Sequence, residues 1–414
     1  MEPLAKLFDK WPIFRPKSSE YVPIALTELA ARGEDGEDGE EEIFEETKVP
    51  RRDWTVLCRG RTLIGIILAL GIMTILSVVF LTRSRWQHQC AADVYKQKGY
   101  IWRSGEDIRW VPYSDPTRLL PPSPIHIYNS TILPTPYDLS FAPPSYTNLL
   151  SSPSRATDPA LSFSQNKTIV VIGDSHSRRQ LEGLCQRLGP ENATLNIEGG
   201  HNKGYCYIPD LGLRFVLLFH FGIARTEETW YFNEDGSTGV EERIEGTLVP
   251  YLEELGIDGA PDFVLLQSGY WDVRFFAQLY QQLKPSGDEV KDLNLQKEAR
   301  PLTWAELTYH RQRMSEVVDS LRSRWGKSLP LMLRTTQEHQ NGRDMGNVGI
   351  YQLNESLEAL ADLIKVPIMP WTNLITGTID YSDDQHLAIG SEANAIWIDM
   401  VLYYLARSLH GCLL

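Results

Sequence analysis

Apolar and polar positions follow three different rhythms along this chain. Residues 63–81 form an unbroken run without a charged side chain, long enough to cross a bilayer, which takes about 20 residues of helix. From Thr168 onward, short apolar runs at 168–172, 213–219, 263–267, 330–334 and 366–369 alternate with helical spacing. Near-continuous apolarity over so few residues is what a parallel strand buried on both faces requires. Helical spacing covers 177–188, 304–325, 350–364 and 388–409. In the last of these, Ile389, Ala393, Ile396, Trp397, Met400, Leu402 and Leu405 form a stripe that faces a core. The alternation predicts an α/β fold of three layers, a mainly parallel sheet with helices on both faces, preceded by one transmembrane helix. Between span and sheet, 83–165 is rich in Pro, Ser and Tyr, a composition that keeps backbone extended. Trp102 and Trp110 mark a part of it that packs on the domain. The expected organisation is a tail (1–61), a span (62–82), a stem (83–165) and a globular domain (166–414).

Charge changes the picture at the N-terminus. The net charge is −14, much of it in the acidic run Glu34 to Glu46, which has nothing to bury and is expected to be disordered. No basic stripe is present, so nucleic acid is not an expected partner. The span starts too far into the chain for a cleavable signal peptide. Arg51, Arg52, Arg59 and Arg61 before it, against Arg83 and Arg85 after it, favour a cytosolic N-terminus. The sequons at Asn129, Asn166, Asn192 and Asn354 all follow the span. A type II topology with a luminal C-terminal domain, in the Golgi or another endomembrane, accommodates both. Cys58 precedes the span, while Cys90, Cys185, Cys206 and Cys412 follow it. That even number suits an oxidising compartment and allows three pairings. Cys185 with Cys206 would flank one βα element, and Cys90 with Cys412 would tie stem to C-terminus. No Cys-x-x-Cys or His-rich spacing is present, so neither a metal nor a bound cofactor is expected.

Two short stretches carry candidate chemistry. Gly173-Asp174-Ser175-His176-Ser177-Arg178 follows a buried strand and opens a helix. Ser175 would therefore stand at the carboxyl end of a strand, where open α/β sheets bind ligands, beside the first helical amides, which favour negative charge. Gly173 permits the tight turn. Asp383-x-x-His386 lies in a polar turn before the last helix, with spacing that lets a carboxylate orient an imidazole. Asp384 competes for that role. Taken singly, the first motif reads as an ordinary helix N-cap and the second as a surface turn. Together they supply nucleophile, base and orienting acid.

The segment GDSHSRRQLEGL with a late Asp-x-x-His resembles the GDSL/SGNH-like acyl-esterase group called the PC-esterase family. Leu266-Gln267-Ser268-Gly269-Tyr270-Trp271-Asp272 is similar to its Ser/Thr-Gly-x-Trp segment, and Leu333-Arg334-Thr335-Thr336-Gln337-Glu338-His339 to its Arg-Thr…His segment. The family includes plant trichome-birefringence-like polysaccharide O-acetyltransferases and the luminal domains of fungal capsule O-acetylation proteins. The resemblance implies an SGNH-hydrolase-like fold over about 168–409. It implies Ser175 as nucleophile, His386 as base and Asp383 as orienting acid. Oxyanion and substrate contacts are expected from the amides of Ser175, Gly199 and Gly200, and from Arg178, Gly269, Trp271, Asp272 and Arg334, with Trp271 and Asp272 shaping a sugar subsite. The wider family's Gly-x-Asn block is replaced here by Ser268-Gly269-Tyr270-Trp271-Asp272, and Arg178 is a substitute for the missing donor. His176, His201 and His339 are expected to be structural or surface residues. The implied activity is transfer of an acyl group, chiefly acetyl, to a glycan or polysaccharide hydroxyl. The acyl donor would be a co-substrate, supplied by a partner such as a membrane protein. The alternatives are a glycan acetyl-esterase with the same triad and a decayed glycan-binding or scaffold protein. A glycosyltransferase would need an Asp-x-Asp metal motif at a strand end, which is not evident.

Overall fold

The computed structural model describes residues 68–77, 90, 92–105, 107–112, 142–229, 236–283, 300–339, 347–375, 381–383 and 385–413. The acidic run, Cys58, Asn129 and Asp384 lie outside the described residues. So do the whole tail and much of the expected span: of the span, residues 68–77 are described and helical, with Leu68, Leu70, Ile72, Met73, Ile75 and Leu76 exposed. Among the described residues no helix is long and apolar enough to cross a membrane. The chain divides into two compact units, residues 1–78 and 79–414.

In the larger unit the strands are β1 (Gly99–Ser104), β2 (Asp107–Pro112), β3 (Thr168–Gly173), β4 (Thr194–Glu198), β5 (Lys203–Ile208), β6 (Leu213–Phe219), β7 (Phe263–Gln267), β8 (Leu331–Arg334) and β9 (Ile368–Met369). The main helices are α1 (Tyr146–Ser151), α2 (Ser175–Leu188), α3 (Tyr270–Leu283), α4 (Trp304–Trp325), α5 (Asn347–Ile364), α6 (Trp371–Ile375) and α7 (Glu392–Leu409). The sheet runs β4-β5-β6-β3-β7-β8-β9. From β6 to β9 neighbours are parallel, while β5 and β4 extend the edge antiparallel.

The pleat explains the three layers. Successive side chains of a strand point to opposite faces. Ile169, Val171, Phe215, Leu217, Phe263 and Leu265 enter one core with α2 and α7. Val170, Ile172, Val216, Leu218, Val264 and Leu266 enter the other with α4 and α5. The helix boundaries are set locally. Asp174 caps α2 by accepting the His176 amide, Thr303 and Glu306 form a capping box on α4, and Ser391 caps α7.

The stem is less separate than its composition predicts. Tyr95, Ile108, Trp110, Tyr146, Leu150 and Leu161 are buried in the same core as Trp397 and Tyr404 of α7. The Thr147 amide and hydroxyl both donate to Asp399, at 2.6 and 2.7 Å. A boundary at 166 would cut through this core. Of the three possible pairings the structure has Cys90 bonded to Cys412 and Cys185 to Cys206. One sequon is not usable in the folded chain: Asn354 is buried, and its amide group holds the Thr336 backbone at both N–H and C=O, each at 2.8 Å.

Candidate active site

The Ser175 turn is fixed by what lies beneath it. A Cβ on Gly173 would fall inside the Ser177 side chain, and the Ser177 hydroxyl donates to Gln267 Oε1 at 2.7 Å. Only glycine lets the turn approach β7 so closely. Asp174 is buried; its Oδ1 accepts from the His176 amide at 2.9 Å and faces His176 Nδ1 at 3.0 Å. Burial pushes the Asp174 carboxyl up, but His176 outweighs it and Arg334 adds to that pull, so it sits well below the usual carboxylate range. Ser175 is the first helical residue, so its N–H has no intrahelical acceptor and lies at the positive end of the helix.

The partner loop folds on itself. Tyr381 bridges Leu387, and the Ser382 amide donates to the His386 carbonyl at 2.8 Å. Asp383 Oδ1 accepts the amides of Gln385 and His386, both at 2.8 Å, and Oδ2 stands 2.9 Å from His386 Nδ1. Burial alone would raise Asp383; those amides and the imidazole outweigh it and hold the carboxyl at about 2. His386 Nε2 is 2.8 Å from Ser175 Oγ. Burial lowers the His386 pKa, and the His176 ring lowers it further, against an upward pull from Asp383. The imidazole is therefore neutral near pH 7. Its Nδ1–H is held by Asp383, and its Nε2 lone pair faces the Ser175 hydroxyl, the arrangement that takes a proton from a nucleophile.

The other expected contacts are distributed differently. Gly199 and Gly200 form the β4–β5 turn, Gly199 at φ +63°. The Gly200 carbonyl accepts from Arg178 Nη1, and Arg178 Nε lies 3.6 Å from Glu182. Arg178 and Gly200 thus meet each other, and among the described residues no hydrogen bond joins either to Ser175. Trp271 is half-buried beside Phe221 (centroids 4.9 Å) and His201 (5.8 Å), with the Arg274 guanidinium 4.7 Å above its ring.

Three expected substrate contacts face inward instead. Asp272 is 1% exposed. It accepts from the Ser268 hydroxyl and from the Gly269 and Ile223 amides, each amide at 2.8 Å. Its carboxylate ties the loop after β6 to the start of α3 and is not open to a sugar. Gly269 spends its N–H on Asp272, and a Cβ there would collide with Thr336, so close packing rather than oxyanion binding explains the glycine. Arg334 is 0% exposed. It donates to Gln267 Oε1 at 2.8 Å and to Gln180 and Ser177 under the Ser175 turn. Burial pushes its pKa down to about 9, with Asp174 pulling it back.

Sequence reasoning passed over several neighbours of the triad. The β6 loop lies beside the Ser175 turn, because Gly173 pairs with Phe219 and the His220 amide donates to the Gly173 carbonyl at 2.9 Å. Gly222, at φ +85°, lies in that loop, three residues past β6 and against Asp272. The sequence signal is a glycine just past the neighbouring strand; the resemblance pointed to Gly199 and Gly200 instead. His176, expected to be structural, is buried against the triad: its ring stacks on Tyr270 at 4.3 Å and tilts towards His386 at 4.8 Å. His339 is buried edge-on to Tyr270, and His201 is exposed beside Phe219.

No family model matches the chain, and no curated protein matches it. Among solved structures, it is similar to a lipase/acylhydrolase from Enterococcus faecalis, at 13% identity over 60% of this chain and 97% of that one, with TM-score 0.32. A member of the lipolytic protein G-D-S-L family from Veillonella parvula shares 12% over 58% and 97%, with TM-score 0.29. An α/β hydrolase enzyme from the metagenome of Lake Arreo, Spain, shares 13% over 61% and 99%, with TM-score 0.29. Likeness at these TM-scores carries no argument about this chain, whose chemistry rests on its own residues.

Proposed function

We propose that this chain is a single-pass type II membrane enzyme of the secretory pathway. It transfers an acyl group, in the simplest case acetyl, to a glycan or polysaccharide hydroxyl. One observation carries the reading: Ser175 Oγ, His386 and Asp383 stand in hydrogen-bonded series at 2.8 and 2.9 Å. Ser175 attacks the acyl carbonyl of the donor while His386 Nε2 takes its proton. The tetrahedral oxyanion is met by the Ser175 amide at the head of α2, with the loop at Gly222 as the neighbouring source of a second donor. Collapse expels the donor's leaving group, which takes the proton from His386, and leaves an acyl-serine. A sugar hydroxyl then attacks that ester and gives its proton to His386, which passes it to Ser175 Oγ as the acyl group leaves on the sugar and the serine is restored. Half-buried Trp271 offers an aromatic surface for the sugar ring. The uncharged run 63–81 and two disulfides suit a membrane-attached luminal enzyme.

The test compares full-length protein with its Ser175→Ala variant, given an acetyl-ester donor with and without oligosaccharide acceptors. Acetylated sugar and free acetate are followed by mass spectrometry. Acetyl-sugar formed only by the wild type is the expected result. Ser175-dependent acetate that ignores acceptors would make it an esterase. Identical behaviour of the two proteins would sink the acyl-enzyme.

A further inference from the structure

The triad has a second imidazole beside it that the proposed reaction does not use. His176 is 2% exposed, and both of its ring nitrogens have partners: Nδ1 lies 3.0 Å from Asp174 Oδ1, and Nε2 lies 3.1 Å from the Gln385 carbonyl oxygen. A carboxylate and a peptide carbonyl both only accept. A neutral imidazole has one N–H and one lone pair, so it would satisfy one partner and set its lone pair against the oxygen of the other. The imidazolium satisfies both. The rest of the pocket agrees. The ring lies almost parallel to Tyr270, at 16° and 4.3 Å, the geometry of a cation over an aromatic face, and Asp174 is its counter-ion.

We propose that His176, as an imidazolium, is a positioning residue for the general base: it clips the loop that carries His386 to the turn that carries Ser175. The inference rests on the triad reading above and adds how the base is held. The carbonyl it grips belongs to Gln385, the residue directly before His386. Gln337 Nε2 reinforces the grip by donating to the same oxygen at 3.0 Å. Movement of this one peptide would carry the His386 ring away from Ser175. The clip also acts through charge. Its ring is 4.8 Å from that of His386, and a cation there opposes protonation of the base and keeps Nε2 free to accept. The groups facing His176 are Asp174 at the head of α2, His386 with Asp383 behind it, Tyr270 of α3, and Arg334 of β8 acting across Asp174. Tyr381 and Glu338 act on the Tyr270 hydroxyl. Among them His386 is the group whose proton uptake the His176 charge resists.

The experiment uses full-length protein with 15N-labelled histidine, read by side-chain NMR, and a fluorophosphonate probe that labels Ser175 across pH. His176→Phe keeps a ring on Tyr270 while removing the charge and both hydrogen bonds. In wild type, where Ser175 labels at its plateau rate, the expected spectrum has protons on both His176 nitrogens and none on His386 Nε2. In His176→Phe the His386 midpoint should rise by roughly half a pH unit or more, the change that a single charge at this separation produces even in water. The acid limb of Ser175 labelling should move with it, and the plateau rate should fall roughly tenfold, as for loss of a charge-assisted bond. A folded His176→Phe protein whose His386 midpoint and labelling limb match the wild type overturns the proposal. If that variant does not fold, the wild-type spectrum decides: a single protonated nitrogen on His176 under the conditions of plateau labelling overturns it, with His176→Gln providing the assignment. A wild type that never labels, but shows the imidazolium and the raised midpoint in the variant, supports the clip and removes the acyl-enzyme reading instead.

Discussion

Each partner in the Ser175–His386–Asp383 series sets the state of the next. Because burial and the His176 ring keep His386 below its ordinary 6.5, its base form is already present in mildly acidic solution. Turnover should rise with pH through a midpoint below 6.5 and stay flat through neutrality; a kcat/KM profile with its acid limb above 6.5 would contradict this. Asp383 fixes which nitrogen of His386 carries the proton. Asp383→Asn should leave the fold intact and lower kcat by roughly 10³- to 10⁴-fold, as expected when the imidazole loses its correct tautomer, checked by turnover alongside thermal unfolding. These residues were legible in the sequence because their chemistry is local: Asp383 and His386 share one turn, and Ser175 follows its strand directly. Asp272 and Arg334 were misjudged for the opposite reason. The groups that occupy them, the Ile223 amide and the Gln180 and Gln267 side chains, come from distant segments, and a sequence does not show that a charge is already spoken for.

The elements that carry the site were legible to different degrees. β3, β6 and β7 are buried on both faces, so their apolar runs stand out. β4 is largely exposed and β5 alternates between inside and outside, so neither makes a continuous run. α3 begins with Tyr270-Trp271 and continues through Phe275-Phe276, aromatic residues with modest helix propensity, and its start coincides with a motif that drew a functional reading. The junction from β3 to α2 is the most constrained point. Gly173→Ala would force a methyl group into Ser177, the hydroxyl that holds Gln267 and through it Arg334. Overpacking of this kind costs about 1–3 kcal/mol. The variant should lose that stability in urea unfolding, and its Ser175 labelling should fall by more than the unfolded fraction accounts for, because relief of the clash with Ser177 shifts the turn that carries Ser175. Loss of labelling in step with unfolding would mean that the turn has a purely structural role.

At the scale of the whole molecule, the domain extends beyond the alternating βα pattern. Composition divides the chain at 165, yet β2, paired antiparallel with β1, and α1 complete one face of the core against α7. A chain beginning at residue 166 would expose the apolar surface that Trp110, Tyr146, Leu150 and Leu161 cover and would strip the Thr147 donors from Asp399. It should fail to show a cooperative thermal transition where a chain beginning at residue 79 shows one. Asp399 gives this docking a pH signature. Burial pushes its carboxyl up to about 7, although the Thr147 amide and hydroxyl and Ser145 pull it down. A carboxyl raised in the folded state holds its proton more tightly there than in the unfolded chain, so its contribution is complete below about pH 4 and is lost as pH rises through 7. Asp399→Asn keeps an oxygen for Thr147 but cannot ionise. Relative to wild type, the variant should therefore gain stability steadily between pH 4 and 7 and hold the gain above it. The gain should reach up to about 4 kcal/mol, because each pH unit between the folded and unfolded midpoints is worth about 1.4 kcal/mol. Urea unfolding of both proteins at pH 5 and pH 8 measures the difference directly. An equal gap at the two pH values would mean that Asp399 keeps its charge in the docked stem, with the Thr147 donors compensating its burial in full.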